Sequence, residues 1–186
     1  GASCGAPLGT MNCLVWNCRG AGNPRTVRDL QALCRANSPR MVFLCETRNQ
    51  LQKMKRLRSR LGLHGFEGIS SQGKSGGLAL FWDESMYVSI QDVNERWIDV
   101  FVRVAPSEPL WRVTFVYGEP RVENRHLMWE SLCRLRNTSE LPWLVTGDFN
   151  EALWDCEHMS MTARPQAQMI AFRDCLEVCQ LVDNAW

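Results

Sequence analysis

At 186 residues and 45% hydrophobic content, the chain is long enough to bury one substantial core and reads as a single domain. Its 21 Lys and Arg against 20 Asp and Glu leave a formal charge of +1, which excludes a protein drawn onto nucleic acid by its overall field; any such contact must come from a local patch. Charged residues interrupt every apolar segment before membrane-spanning length, so no membrane partner is expected, and nine cysteines, an odd count with no signal-like stretch, fit reduced thiols in an intracellular, non-secreted protein.

Residues 1–10 are small, uncharged and without period, and read as a disordered leader or tag ahead of a domain over 11–186. Cys13 to Cys18 reads as a strand. Asn23 as cap and Pro24 at the first helical position announce a helix with Val27, Leu30, Leu33 and Cys34 on its buried face. The apolar run Met41 to Cys45 reads as a strand buried on both faces. Leu51, Met54, Leu57 and Leu61 then form the stripe of a helix whose other faces carry Lys53, Lys55, Arg56, Arg58 and Arg60. Those cations suit a phosphate backbone, although a solvated helix face is the plainer reading.

From Gly65 to Tyr117 the pattern is that of consecutive strands, at Gly77 to Trp82, Tyr87 to Asn94, Trp97 to Val104 and Trp111 to Tyr117, joined by hairpins. Gly76 and Gly77 suggest positive φ or close backbone packing. A helix over about Glu123 to Arg136 buries Met128, Leu132 and Leu135, and a short buried strand, Trp143 to Thr146, runs into Gly147-Asp148-Phe149-Asn150. The last helix, about Gln166 to Gln180, places Met169, Phe172, Leu176 and Cys179 on one face. Helices alternating with buried strands around a block of hairpins suggest mixed sheets covered by helices.

Most cysteines, among them Cys13, Cys34, Cys45, Cys133 and Cys175, are interleaved with apolar residues and read as small hydrophobes. Cys175 and Cys179 are four apart with His158 upstream, a fragment of a metal site at most, because clustered paired ligands are missing. His64, His126 and His158 read as surface residues.

Polar residues recur just after the buried strands: Asn17, Glu46, Tyr117, and Asp148 with Asn150. Strand ends of one rim converge on a shared crevice, so residues far apart in sequence can surround one ligand. Glu46 offers hard anionic oxygen to a divalent cation and Asn17 a neutral carbonyl. Asp148 can orient or deprotonate water, and Asn150 and Tyr117 can donate to a phosphate oxygen. Each taken singly has a duller explanation as a turn former or helix cap.

The segments Asn12 to Gly20, Phe43 to Thr47, Ser75 to Trp82, Val116 to Gly118 and Gly147 to Asn150 resemble, in order, those of the endonuclease/exonuclease/phosphatase family. The Arg-Gly-x-Gly-Asn-Pro stretch from Arg19 to Pro24 is similar to the plant LINE-type branch of non-LTR retrotransposon endonuclease domains. The resemblance implies a four-layer α/β sandwich, two mixed β-sheets face to face flanked by helices. It implies Asn17 and Glu46 as metal residues for Mg2+ or Mn2+, Asp148 as the water-orienting aspartate, and Tyr117, Asn150 and Arg19 as contacts to substrate. The implied reaction is attack of water on a DNA phosphodiester in a nuclear setting, leaving a 3′ hydroxyl that a reverse transcriptase domain of the full-length polyprotein would extend.

The family's later strands and its Ser-Asp-His segment do not occur within these residues. The expectation is therefore a domain incomplete at its C-terminal side, weak or inactive as this fragment, with an open sheet edge that promotes self-association. Two other readings stand beside the nuclease: a catalytically inactive nucleic-acid-binding or interaction module, and a phosphatase acting on small phosphate esters or lipids.

Overall fold

The computed structural model describes the backbone of residues 2–4 and residues 11–73, 75–152 and 166–183. The first of two sheets carries, side by side, β1 (Ala2–Cys4), β2 (Cys13–Asn17), β3 (Met41–Cys45), β5 (Leu78–Trp82) and β4 (Gly65–Ile69). The second carries β6 (Tyr87–Val93), β7 (Trp97–Arg103), β8 (Trp111–Tyr117) and β9 (Trp143–Asp148) in chain order. Both are mixed: β2 runs parallel to β3, and β8 to β9, while the other neighbours are antiparallel.

Parallel neighbours need a crossover, and a helix supplies each one. α1 (Pro24–Asn37) joins β2 to β3, and α4 (Arg125–Arg136) joins β8 to β9. The Asn23 side chain caps α1 by accepting from the Arg25 N–H, Pro24 starts it, and Ser38 ends it in the left-handed region with its N–H on the Cys34 carbonyl.

Alternation along the strands generates the layers. In β3 every residue is buried. Met41, Phe43 and Cys45 face the second sheet, where Phe43 stacks on Phe115 of β8 at 5.2 Å. Val42 and Leu44 face the opposite way, onto Leu30 of α1, Met54 of α2 (Leu51–Lys55) and Leu57. Behind the second sheet, Val116 and Val145 pack on Leu132 and Trp129 of α4 and Phe172 and Cys175 of α5 (Gln166–Val178). The order is helix, sheet, sheet, helix, the four-layer sandwich expected.

Local differences have physical causes. The single helix expected over the Leu51 to Leu61 stripe breaks into α2 and α3 (Arg58–Leu61). Tight bonds to the third residue back, from Leu57 N–H to Met54 O at 2.9 Å and from Arg60 N–H to Leu57 O at 3.0 Å, join the two turns. Five cations with no acidic partner among them give that stretch no helix-stabilising ion pairs. β4 has no counterpart among the expected strands, because its two glycines dilute the β signal. They are required: a Cβ on Gly65 would lie 2.0 Å from the Trp82 ring, and one on Gly68 would lie 2.4 Å from the Leu78 carbonyl. The strands after Gly77 do not form one meander, since β5 stays in the first sheet and only β6, β7 and β8 are joined as hairpins. Within the stretch read as a leader, Ala2–Cys4 pairs antiparallel with β2 through backbone bonds that need no particular side chains.

A buried ion pair ties the second sheet together. Arg112 of β8 and Asp99 of β7 are each 2% exposed in their side chains. The guanidinium donates to both Asp99 oxygens, at 2.8 to 3.1 Å, and to the Leu135 carbonyl at 2.5 Å. Thr114 Oγ1 donates to Asp99 at 2.6 Å and accepts from the Trp143 indole at 2.8 Å, linking β7, β8 and β9. Removing one partner of such a pair strands the other charge in the interior. Asp99→Ala is expected to destabilise the fold by about 3–5 kcal/mol, seen as a lower urea midpoint at unchanged slope. A loss below about 1 kcal/mol, the size of a surface pair, would contradict this.

Candidate active site

The two parallel pairs place the C-terminal ends of β2, β3, β8 and β9 in one region, and alternation selects which side chains meet there. Cys13 and Val15 of β2 point between the sheets, so Asn17, two further on, does as well. Val113, Phe115 and Tyr117 of β8 follow the same rule, and Leu144 of β9 sets it for Asp148. Glu46 is the first residue past β3.

One amide joins the ends. Asn17 Nδ2 donates to Asp148 Oδ2 at 2.7 Å and to Glu46 Oε1 at 3.2 Å, so a single nitrogen bridges carboxylates carried by different sheets. The Tyr117 hydroxyl donates to the same Glu46 oxygen at 3.0 Å, and Arg48 pairs with the other at 2.7 Å. Asn17 Oδ1 accepts from the Arg19 N–H at 3.3 Å. Asn150 adjoins the network from the β9 side. Its N–H donates to Asp148 Oδ1 at 3.0 Å and its Nδ2 to the Gly118 carbonyl at 2.8 Å.

The loops carrying these groups turn sharply. Arg19, Glu46, Arg48 and Asn150 all have φ between 46° and 54°, although none is glycine. Left-handed non-glycine residues cost of order 1–3 kcal/mol each and gather where the surroundings over-determine them. Neighbouring segments supply that determination. Thr47 N–H bonds to Gly77 O at 3.1 Å and Arg48 N–H to Gly76 O at 3.0 Å, and a Cβ on Gly77 would stand 2.3 Å from Thr47 Oγ1. Gly118 N–H bonds to Asp148 O at 2.7 Å, and a Cβ on Gly118 would stand 2.0 Å from the Phe149 carbonyl oxygen.

Burial pushes the Glu46 carboxyl up, but hydrogen bonds from Arg48, Asn17 and Tyr117, with the Arg48 charge, outweigh it and hold the group below the usual carboxylate range. Burial first, then the bond to Glu46 and its charge, push the Tyr117 phenol far up, so it stays a protonated donor.

Of the residues singled out from sequence, Asn17, Glu46, Tyr117 and Asp148 share this one network, with Asn150 adjoining it through Asp148. Arg19 is exposed at the rim and reaches the network through its backbone. His64 and His126 are exposed, and His158 lies outside the described residues. Sequence reading passed over Arg48, whose signal was its place in the same strand-end loop as Glu46, and took Gly118 only as part of a family segment, without a role.

The sequence profile of the endonuclease/exonuclease/phosphatase family matches residues 14–168. This chain belongs to that family. Among solved structures, a 3′ phosphatase from Neisseria bound to a DNA hairpin superimposes with a TM-score of 0.68 at 19% identity, covering 91% of this chain and 71% of the other. An AP endonuclease from Archaeoglobus fulgidus gives 0.68 at 16% identity with the same coverage, 91% and 71%. The endonuclease domain of TRAS1, a telomere-specific non-LTR retrotransposon, gives 0.63 at 15% identity, covering 90% of this chain and 69% of that one. At such identities the likeness speaks for the fold alone, and this family member spans about seven tenths of the length of these chains. No curated protein matches it.

Two outcomes follow from the geometry. Because the folded pKa of Glu46 is depressed, the stability it contributes is present above the ordinary carboxylate value, about 4.3, and is lost as pH falls through the folded value. A carboxyl NMR titration should place the Glu46 midpoint below that value, and Arg48→Met should move it upward. An unmoved midpoint would remove Arg48 as a cause. Gly118→Ala, which forces β8 and β9 loop backbones apart, is expected to cost about 1–3 kcal/mol in thermal or urea unfolding, whereas a neutral effect would mean that the two loops give freely.

Proposed function

We propose that this family member is a divalent-metal-dependent phosphodiesterase acting on DNA, of the retrotransposon endonuclease type. The observation that supports it most is the Asn17 amide within hydrogen-bond distance of both Glu46 and Asp148. Structural evolution toward stability alone rarely brings two carboxylates to one point with so few cations, and clustered ionisable groups in a cleft are candidates for chemistry.

The donor set fits a hard cation. The carboxylate oxygens of Glu46 and Asp148 are the ligand type that Mg2+ and Mn2+ prefer, and Asn17, whose Nδ2 lies between them while its Oδ1 accepts from the Arg19 N–H, would present its carboxamide oxygen once the amide turns over, so that Glu46 and Asn17 would hold the ion. When bound, such a cation supplies Lewis-acid stabilisation of charge on phosphate oxygens. The chain's own residues supply the rest. Asp148, held by the Asn150 N–H, accepts a hydrogen bond from water and orients it toward phosphorus. The Tyr117 hydroxyl and the Asn150 amide donate to phosphate oxygen, and Arg19, exposed beside them, meets the flanking phosphate backbone.

In this reading the partner is DNA in the nucleus, the nicked 3′ end serves a reverse transcriptase domain of a longer polyprotein, and the outer edge of β9 is where copies would associate. The Arg-Gly-x-Gly-Asn-Pro stretch favours DNA over small phosphate esters. The test is nicking of supercoiled plasmid in Mg2+ by the chain together with its native continuation. Glu46→Gln, Asp148→Asn and Asn150→Ala should each lower the rate by about a hundredfold or more. Nicking unchanged in Glu46→Gln and Asp148→Asn, or turnover confined to small phosphate esters, would overturn the proposal.

A further inference from the structure

A second cluster of ligand-type side chains lies behind the second sheet. Cys133 on α4, Cys175 on α5 and Cys179 just beyond α5 direct their sulfurs to one point, all within 4.8 Å of one another. Cys179 and Cys133 are 3.9 Å apart between sulfurs. Each thiol alone is an ordinary small hydrophobe in the packing of Trp129, Leu132 and Phe172. Their convergence from two elements is what packing does not require. The third partner to the Cys175 and Cys179 pair comes from 46 residues upstream of Cys179, so sequence spacing concealed it.

Distance separates the two things such thiols can do. A disulfide needs its sulfurs at about 2.05 Å, so the Cys133 and Cys179 pair would have to close by nearly half its separation. A zinc ion bound by thiolates at about 2.3 Å keeps its sulfurs roughly 3.8–4.0 Å apart, which the Cys133–Cys179 distance of 3.9 Å already meets. The sulfurs therefore need only small adjustments around a metal.

We propose that Cys133, Cys175 and Cys179 form a three-thiolate Zn2+ site that fastens α4 to α5. Three S–H protons pass to solvent as three Zn–S bonds form, with no change of oxidation state. Cys175 and Cys179 are buried, at 4% and 1% exposure, whereas Cys133 is only partly so. The fourth zinc position therefore opens on the Cys133 side, where water completes the tetrahedron. Three thiolates and one Zn2+ leave a net negative charge. Arg136, on the same helix as Cys133, donates to Gln180 Oε1 at 3.0 Å and places its cation beside Cys179 to offset it. The site is separate from the oxygen-rich carboxylate rim and of opposite ligand softness.

Co2+ added to the reduced, metal-stripped protein is the probe. The expected result is a near-ultraviolet thiolate-to-cobalt charge-transfer band and the visible bands of a tetrahedral ion, saturating at one equivalent and displaced by Zn2+. Glu46→Gln should leave the band intact, which distinguishes it from cobalt on the carboxylates. Cys133→Ser, the change at the least buried ligand, should weaken cobalt and zinc affinity by more than the roughly tenfold to hundredfold lost with an outer-shell partner, and abolish the zinc-induced rise in Tm of the wild-type protein. No thiolate band in the folded wild-type protein would overturn the site whatever the variants do. So would a Cys133–Cys179 disulfide, formed by air oxidation and two hydrogen atoms lighter by mass, in protein purified without reductant and refractory to zinc.

Discussion

Asn17 and Asp148 stand 131 residues apart and belong to different sheets, yet the amide of one meets the carboxylate of the other at 2.7 Å. That contact is possible only because β2 and β9 end at the same rim with their side chains in phase. A one-residue slip in either parallel pair would turn Asn17 or Asp148 from the seam between the sheets onto a helix-covered face. Register is therefore the constraint on which the site rests, and the inter-sheet core fixes it. Phe43 on Phe115, with Met41, Val113 and Leu144 beside them, admits one phase of strands and not its neighbour.

Support for the rim comes from both flanks. On the first sheet, the strained turn at Glu46 and Arg48 is held by backbone bonds to Gly76 and Gly77, so the Ser-Gly-Gly segment and the Glu-Thr segment act as one unit. On the second, Gly118 and the Asp148 to Asn150 turn are clasped by two further bonds. The Arg112 and Asp99 pair braces the same strands from the helix side. Functional groups mounted on strand ends and over-determined turns keep their positions better than groups on long loops, and in the proposed reading that rigidity is what orients water and phosphate.

The parts legible in sequence were those written in local pattern. The run Met41 to Cys45 announced a strand buried on both faces, and the Asn23-Pro24 start announced α1, because both signals are complete within a few residues. The candidate site was legible as a recurrence, a polar residue after each buried strand, and the shared rim followed from the sheet type. What escaped notice depends on contacts between distant segments. β4 is a strand because its glycines slide past Trp82 and the Leu78 carbonyl, which no local propensity encodes. Arg112 falls inside the expected strand Trp111 to Tyr117 without a signal of its own, since its partner lies across the ladder in β7. Cys175 and Cys179 read as a fragment of a metal site at most, and Cys133, which stands 46 residues from Cys179, read as a core cysteine.

The proposed chemistry requires that the carboxylates at the rim form one cation site. Anomalous diffraction at the manganese edge, from crystals of the protein grown with Mn2+, tests this directly. A single strong peak within bonding distance of a Glu46 oxygen, with Asn17 and Asp148 around it, is the predicted result. Manganese found only elsewhere on the molecule, with the Arg48 to Glu46 pair intact, would contradict it.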